Sequence, residues 1–121
     1  MPSKEQVIKR TLKELGVKPG VNGYKYLVEA IVAVHDDESR LRGLVKGLYT
    51  DIAHKYNVSA TSVERAIRCS IEVSYTQAPL EAVANVFGNT LPPYKDKPAN
   101  KQYIATVADY VRDIVRYEEA M

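Results

Sequence analysis

The sequence predicts an all-α protein: a single domain over residues 1–121, with six or seven helices and an embedded helix-turn-helix. Apolar residues recur at helical spacing in one segment after another. Residues that begin or end helices separate these segments, and no segment alternates apolar and polar residues as a half-buried strand does. A length of 121 residues fits one domain, and a hydrophobic content of 45% supplies a core.

Composition excludes several classes of protein. The single cysteine cannot form an internal disulfide, which excludes a disulfide-stapled secreted mini-protein. No apolar run approaches the roughly 18 residues of a membrane span. The N-terminal segment mixes charged and apolar residues, whereas a signal peptide has an uninterrupted apolar stretch. We therefore expect a cytoplasmic protein with no membrane partner.

Caps and apolar spacing predict the first two helices. Ser3 with Gln6 three positions later is a capping-box pattern, and Gly16 ends the first helix. Residues 18–23 contain Pro, Asn and Gly and predict a turn. Apolar positions at helical spacing then predict a second helix over Tyr24–His35.

The next segments also have helix-start signals. The acidic run 36–39 suits a helix N-terminus, since carboxylates favour the positive end of the helix dipole. Apolar positions then continue at helical spacing, and the sequence leaves open whether a fresh helix begins at Thr50. Thr61 and Glu64 form a second capping box, which predicts a helix to about residue 75.

Prolines divide the C-terminal part of the chain. Pro79 is predicted to be the first residue of a short helix that ends at Phe87. Residues 91–99 contain three prolines and predict a loop. Asn100 is predicted to cap a final helix with an apolar face.

Residues at about 47–75 have the spacing of a helix-turn-helix, although αα-hairpins share parts of this pattern. Ile52 and Ala53 supply an apolar position and a small residue where the two helices cross. Asn57 stands in the turn, where the backbone needs a residue that accepts a positive φ. Val58 is expected to fill the core beneath the turn.

The second helix of this motif is predicted to have a charged outward face. Helical periodicity places Arg65 and Arg68 opposite the apolar arc and close to the helix start, where recognition side chains reach base edges. Arginine pairs with guanine through two hydrogen bonds, and glutamate accepts one from cytosine. Residues 40–68 also carry six basic side chains against two acidic ones. The plainer alternative is a solvated helix with surface ion pairs, Glu64 with Arg68 and Arg65 with Glu72.

Three stretches resemble a known family, the C-terminal DNA-binding effector domain of the sporulation master response regulator, stage-zero sporulation transcription factor A. They are LYTDIAHKYNVSATSVERAIRCSIEV, GYKYLVEAI and FGNTLPPYKDKPANKQYIATVADYVR, and the resemblance covers roughly residues 12–116. It implies a helical domain that activates or represses promoters through boxes like TGTCGAA. The phosphorylated receiver domain of the family is absent from this chain, which is either an effector half or a stand-alone relative.

The resemblance also implies DNA contacts. The base-contacting residues of the family fall on Glu64, Arg65 and Arg68, and Cys69 stands where the family has a histidine. We expect phosphate contacts from basic and hydroxyl side chains around the motif, with affinity that falls as salt rises. The candidates for these backbone contacts are Lys46, Lys55, Ser59, Thr61 and Ser62.

A second surface is implied for protein partners. The contact with the RNA polymerase sigma subunit falls on Phe87, Asp109 and Val111, while Ala82 and Ala84 stand where the family can carry serines. A large aromatic beside a turn is equally well explained as a core residue. The resemblance further implies a tandem, head-to-tail homodimer on adjacent boxes.

The sequence offers no basis for catalysis. The two histidines and the single cysteine lack metal-ligand spacing, and neither a P-loop nor a nucleophile elbow occurs. We therefore expect no enzyme, cofactor or metal. The alternative to a DNA-binding regulator is a helical protein-interaction module whose helix-turn-helix is only architectural.

Overall fold

The computed structural model describes residues 3–20, 22–88 and 99–120, and this part of the chain contains helices and no strand. The prediction of an all-α fold is therefore confirmed. None of the described helices is long and apolar enough to cross a membrane. The elements in chain order are α1 (Lys4–Glu14), α2 (Asn22–Asp36), a 3-10 helix (Glu38–Leu41), α3 (Leu48–Tyr56), α4 (Ala60–Gln77), α5 (Leu80–Phe87) and α6 (Asn100–Ala120).

The start of α1 confirms the predicted capping box. The Ser3 hydroxyl accepts a hydrogen bond from the Gln6 backbone N–H at 3.2 Å, and the Gln6 side chain accepts one from the Ser3 N–H at 2.8 Å. These two bonds satisfy amides that have no partner within the helix. Gly16 follows α1 with a φ of 81°, a conformation that favours glycine, and the chain turns there as predicted.

The acidic run does not begin a long helix. Asp37 caps only the short 3-10 helix, where its carboxylate accepts from the Ser39 N–H at 3.0 Å. Turns follow, Gly43 has a φ of 57°, and α3 begins at Leu48 after Gly47. The physical reason is that two glycines four residues apart interrupt the helix, which apolar spacing alone does not show.

The starts of α4, α5 and α6 each differ from the prediction by one or two residues. Ser59 caps α4, and its hydroxyl accepts from the Ser62 N–H at 3.0 Å, so Thr61 lies inside the helix and is not its cap. Pro79 precedes α5 as its N-cap instead of being its first residue. Asn100 is the first residue of α6 and not its cap. The predicted loop lies outside the described residues except for Ala99.

A buried polar junction joins α4 to α6 and to the end of α1. The Ser74 hydroxyl donates to the Leu15 carbonyl at 2.7 Å and lies 2.8 Å from the Tyr103 hydroxyl. Because serine has one hydroxyl proton, Tyr103 is the donor in the second bond. Burial raises the pKa of Tyr103, so this phenol stays protonated and able to donate.

Helix α2 approaches α4 closely at Gly23. A methyl group in place of the Gly23 hydrogen would lie 2.0 Å from the Ser70 hydroxyl oxygen and 2.2 Å from the Ala66 carbonyl oxygen. The second of these neighbours is helix backbone, which cannot rotate away as a side chain does. Only glycine therefore allows α2 and α4 to cross at this distance.

We expect Gly23→Ala to destabilise the fold by about 1–3 kcal/mol or more, because an overpacked contact with backbone outweighs the gain of about 1 kcal/mol in helix propensity. Urea unfolding measures the change. Gly20→Ala is the matched control, since nothing lies within 4 Å of the point that a methyl group on Gly20 would occupy. An equal free energy of unfolding for the two variants contradicts the role of Gly23 at the crossing.

Candidate nucleic-acid interface

The turn between α3 and α4 has the left-handed residue that the sequence predicted. Asn57 has a φ of 56° and a ψ of 48°, and it follows the last residue of α3. The Val58 N–H donates to the Ala53 carbonyl at 3.0 Å, which closes the end of α3. Ile52 and Ala53 are both buried, as expected for residues at a helix crossing. The α3–α4 pair fits a helix-turn-helix.

Val58 does not fill the core beneath the turn. Its side chain is 39% exposed, so the expectation of a buried plug is wrong. The reason is local: the Val58 N–H is held by α3 and Ser59 is extended, which leaves the valine side chain at the surface. Ile52 and Val63, one from each helix of the pair, are buried near the turn instead.

A polar cluster anchors the end of α3 to α2. The Tyr56 hydroxyl donates to the Glu29 carboxylate at 2.8 Å, and the Lys55 ammonium forms an ion pair with the same carboxylate. The Lys25 ammonium lies 4.7 Å from the centre of the Tyr56 ring, a cation–π geometry. Glu29 raises the pKa of Lys55. Lys55, a candidate for a DNA phosphate, therefore already has an anionic partner.

The two faces of α4 divide as helical periodicity predicted. The inner face is buried, and the outer face exposes Arg65, Arg68 and Cys69. Arg68 forms an ion pair with Glu64, one turn earlier on the helix. Arg65 has no ion-pair or hydrogen-bond partner among the residues that the structure describes. The alternative of a solvated helix predicted two surface ion pairs. Among the described residues, the pair of Glu64 with Arg68 is present and the pair of Arg65 with Glu72 is not.

The remaining backbone candidates lie at the surface. Lys46 is exposed in the turn before α3, and Thr61 is exposed in the first turn of α4. The hydroxyls of Ser59 and Ser62 lie 2.8 Å apart, and the Ser59 hydroxyl also serves the helix cap. The start of α4 therefore presents three neighbouring hydroxyl side chains.

Of the three candidates for the polymerase contact, only one has an accessible side chain. Phe87 is 3% exposed and packs between the rings of Tyr75 and Tyr103, with ring centres 5.8 and 5.4 Å away. Val111 is fully buried. Asp109 is exposed on α6, and its carboxylate accepts from Arg112 at 2.6 Å. A partner protein can touch Asp109 without any rearrangement of the core.

One contact of the site joins segments distant in sequence. The Asn100 side-chain amide donates to the backbone carbonyl of Glu64 at 3.3 Å, which ties the start of α6 to the start of α4. No pattern of spacing within α4 indicates it, because its partner lies 36 residues further along the chain.

The fold and the site define a class of protein: a helical DNA-binding domain in which a pair of helices fits a helix-turn-helix and the second helix exposes arginines near its start. Residues 8–111 match the family model described as sporulation initiation factor Spo0A C terminal, and the chain belongs to this family. It is therefore a DNA-binding effector domain of a sporulation response regulator, a kind of domain that works with a receiver domain.

We expect Asn57→Ala to lower the free energy of unfolding by about 1 kcal/mol, because the Cβ of both residues is crowded in the left-handed conformation and alanine lacks the polar side chain that makes this conformation accessible to asparagine. Asn57→Gly is the matched control and should leave stability almost unchanged, since glycine adopts a positive φ freely. Urea unfolding of both variants measures the difference. Similar losses in both would show that the Asn57 side chain, not the backbone conformation, stabilises the turn.

Proposed function

We propose that this domain regulates sporulation promoters in the cytoplasm by inserting α4 into the major groove of boxes like TGTCGAA, and that it activates some promoters and represses others. The observation that carries the proposal is the exposed guanidinium of Arg65, which no described residue pairs, one turn from Arg68 on a helix whose other face is buried. A domain that only binds other proteins has no need to keep two arginines there.

The proposed base contacts are made by Glu64, Arg65 and Arg68. A guanidinium that pairs with guanine through two hydrogen bonds contributes about 1–3 kcal/mol of discrimination. An exposed ion pair such as Arg68 with Glu64 contributes at most about 1 kcal/mol. The base contact is therefore strong enough to draw Arg68 away from Glu64, which leaves the carboxylate available to accept from cytosine.

Phosphate contacts would position α4 without reading sequence. We assign them to the exposed hydroxyls of Ser59, Thr61 and Ser62 at the helix start, and to Lys46 and Lys55 around the motif. Lys55 already pairs with Glu29, so this lysine would have to share its charge between the carboxylate and a phosphate.

Two further partners belong to the proposal. Adjacent boxes would bind two copies head to tail, and such a heterologous contact uses two different patches of each copy. Asp109 would meet a basic surface of the RNA polymerase sigma subunit, since its carboxylate is exposed on α6, although it would have to share its charge with Arg112. The buried Phe87 and Val111 would then support this surface from beneath.

A protein-interaction module with an architectural helix-turn-helix is the competing function. It predicts no preference for any DNA sequence. A gel shift with a box duplex and a scrambled duplex, each at two salt concentrations, separates the two functions. The proposed regulator prefers the box, and its affinity for both duplexes falls as salt rises. Equal affinity for the two duplexes at physiological salt favours the interaction module.

We expect Arg65→Ala and Arg68→Ala each to cost about 1–3 kcal/mol of binding to the box, with little loss on scrambled DNA. Both side chains are exposed, so the free energy of unfolding should stay within about 0.5 kcal/mol of the parent. Fluorescence anisotropy with the two duplexes measures the change. Arg116→Ala on α6 is the control for loss of one positive charge. If either α4 variant still discriminates fully between the box and the scrambled duplex, the substituted arginine is not a base contact.

We expect Asp109→Ala to lower transcription from an activated promoter while box affinity and repression persist, because the carboxylate is exposed on α6 and is not one of the proposed DNA contacts. In vitro transcription beside a gel shift measures both activities. Asp113→Ala removes an exposed carboxylate one turn further on and is the matched control. A parallel loss of binding and activation, or no loss of either, excludes Asp109 as a polymerase contact.

A further inference from the structure

A cleft with a volume of about 470 Å³ opens beside the proposed base-contacting residues. It lies where the starts of α3, α4 and α6 meet, next to the turn that precedes α3. The residues that give it polar character are Tyr49, Glu64, Arg68, Asn100 and Lys101.

Tyr49 places an unsatisfied hydroxyl in this cleft. The residue is 1% exposed, and its hydroxyl has no hydrogen-bond partner of good geometry among the described residues. Burial raises the pKa of Tyr49, and the neighbouring Asn100 side chain opposes this shift only in part. Tyr49 lines the cleft together with Glu64, Arg68 and Asn100, and its raised pKa keeps the phenol protonated and able to donate. Buried hydroxyls normally have a partner, so this one points to a ligand.

The start of α6 makes the cleft suitable for an anion. This helix runs for 21 residues, and its first amide groups carry the positive end of the helix dipole. Ala99 precedes it, and a methyl side chain cannot accept from these amides. The Asn100 side chain is engaged with the Glu64 carbonyl. Lys101 adds an exposed positive charge. The Glu64 carboxylate is paired with Arg68 in the free domain and would bind cytosine in the proposed complex, so it is engaged in both states.

We propose that this cleft binds one phosphate of the DNA backbone when α4 enters the major groove. The proposal rests on the proposed function and deepens it. Lys101 and the first amides of α6 bind the phosphate oxygens, and the Tyr49 hydroxyl donates to the same group. Through Asn100, the phosphate also fixes the start of α4, because the Asn100 side chain holds the Glu64 carbonyl.

The experiment measures affinity against salt concentration for a one-box duplex and a scrambled duplex. Lys101→Ala should reduce the log–log salt slope by about 0.9 on both duplexes, the value for one neutralised phosphate, and leave discrimination between them unchanged. Lys13→Ala is the matched control, since it removes an exposed lysine from α1. A slope for Lys101→Ala equal to that of this control overturns the proposal.

Tyr49→Phe tests the hydroxyl separately. The ring stays in the core, so unfolding by urea should match the parent, while affinity for both duplexes should fall. Parent-like affinity in this variant overturns the proposal as stated.

The outcomes for the cleft and for the proposed function can be told apart. If Arg65→Ala loses discrimination while Lys101→Ala keeps the salt slope of the parent, the phosphate site in the cleft is rejected and the proposed function stands. If the parent binds the box and the scrambled duplex equally, sequence-specific regulation is rejected. The salt slope of Lys101→Ala against that of the parent still tests whether the cleft binds a phosphate. A parent that binds no duplex rejects both.

Discussion

The contact between Gly23 of α2 and the backbone of α4 is the constraint on which the recognition surface depends. The missing side chain lets the helices cross where any methyl group would meet the Ala66 carbonyl. Arg65 adjoins Ala66 in the chain and is exposed, so the depth of this crossing sets how far the arginine projects from the domain. A packing contact on the buried side thus fixes the position of a side chain on the exposed side.

Besides the buried apolar residues of α4, polar contacts hold this helix and its partner α3 in place. Ser74 and Tyr103 anchor the second half of α4 to α6, and Asn100 anchors its start. At the other end of the motif, Tyr56 ties α3 to α2 through Glu29. Each of these bonds joins elements far apart in sequence. A helix-turn-helix fixed at both ends in this way keeps its two helices in one relative orientation, which discrimination between bases requires.

Local signals predicted the parts of the fold that depend on local chemistry. The capping box of Ser3 and the left-handed Asn57 were both predicted, because each follows from residues within one helical turn. The start of α4 was placed at Thr61 instead of at Ser59, since both hydroxyls are chemically able to cap a helix. The backbone path out of the turn decides between them. The same path leaves Val58 at the surface, and spacing alone does not encode it.

For the candidate site, periodicity predicted which face of α4 is exposed but not how its charges are paired. Glu64 and Arg68 form one electrostatic unit, whereas Arg65 has no such partner among the described residues. The two arginines would therefore enter the proposed DNA complex from different starting states. In that complex Arg65 would gain its base contact without breaking another bond, while Arg68 would exchange one partner for another and release Glu64. Changes at Glu64 and Arg68 should consequently be coupled, and changes at Arg65 should add to them independently.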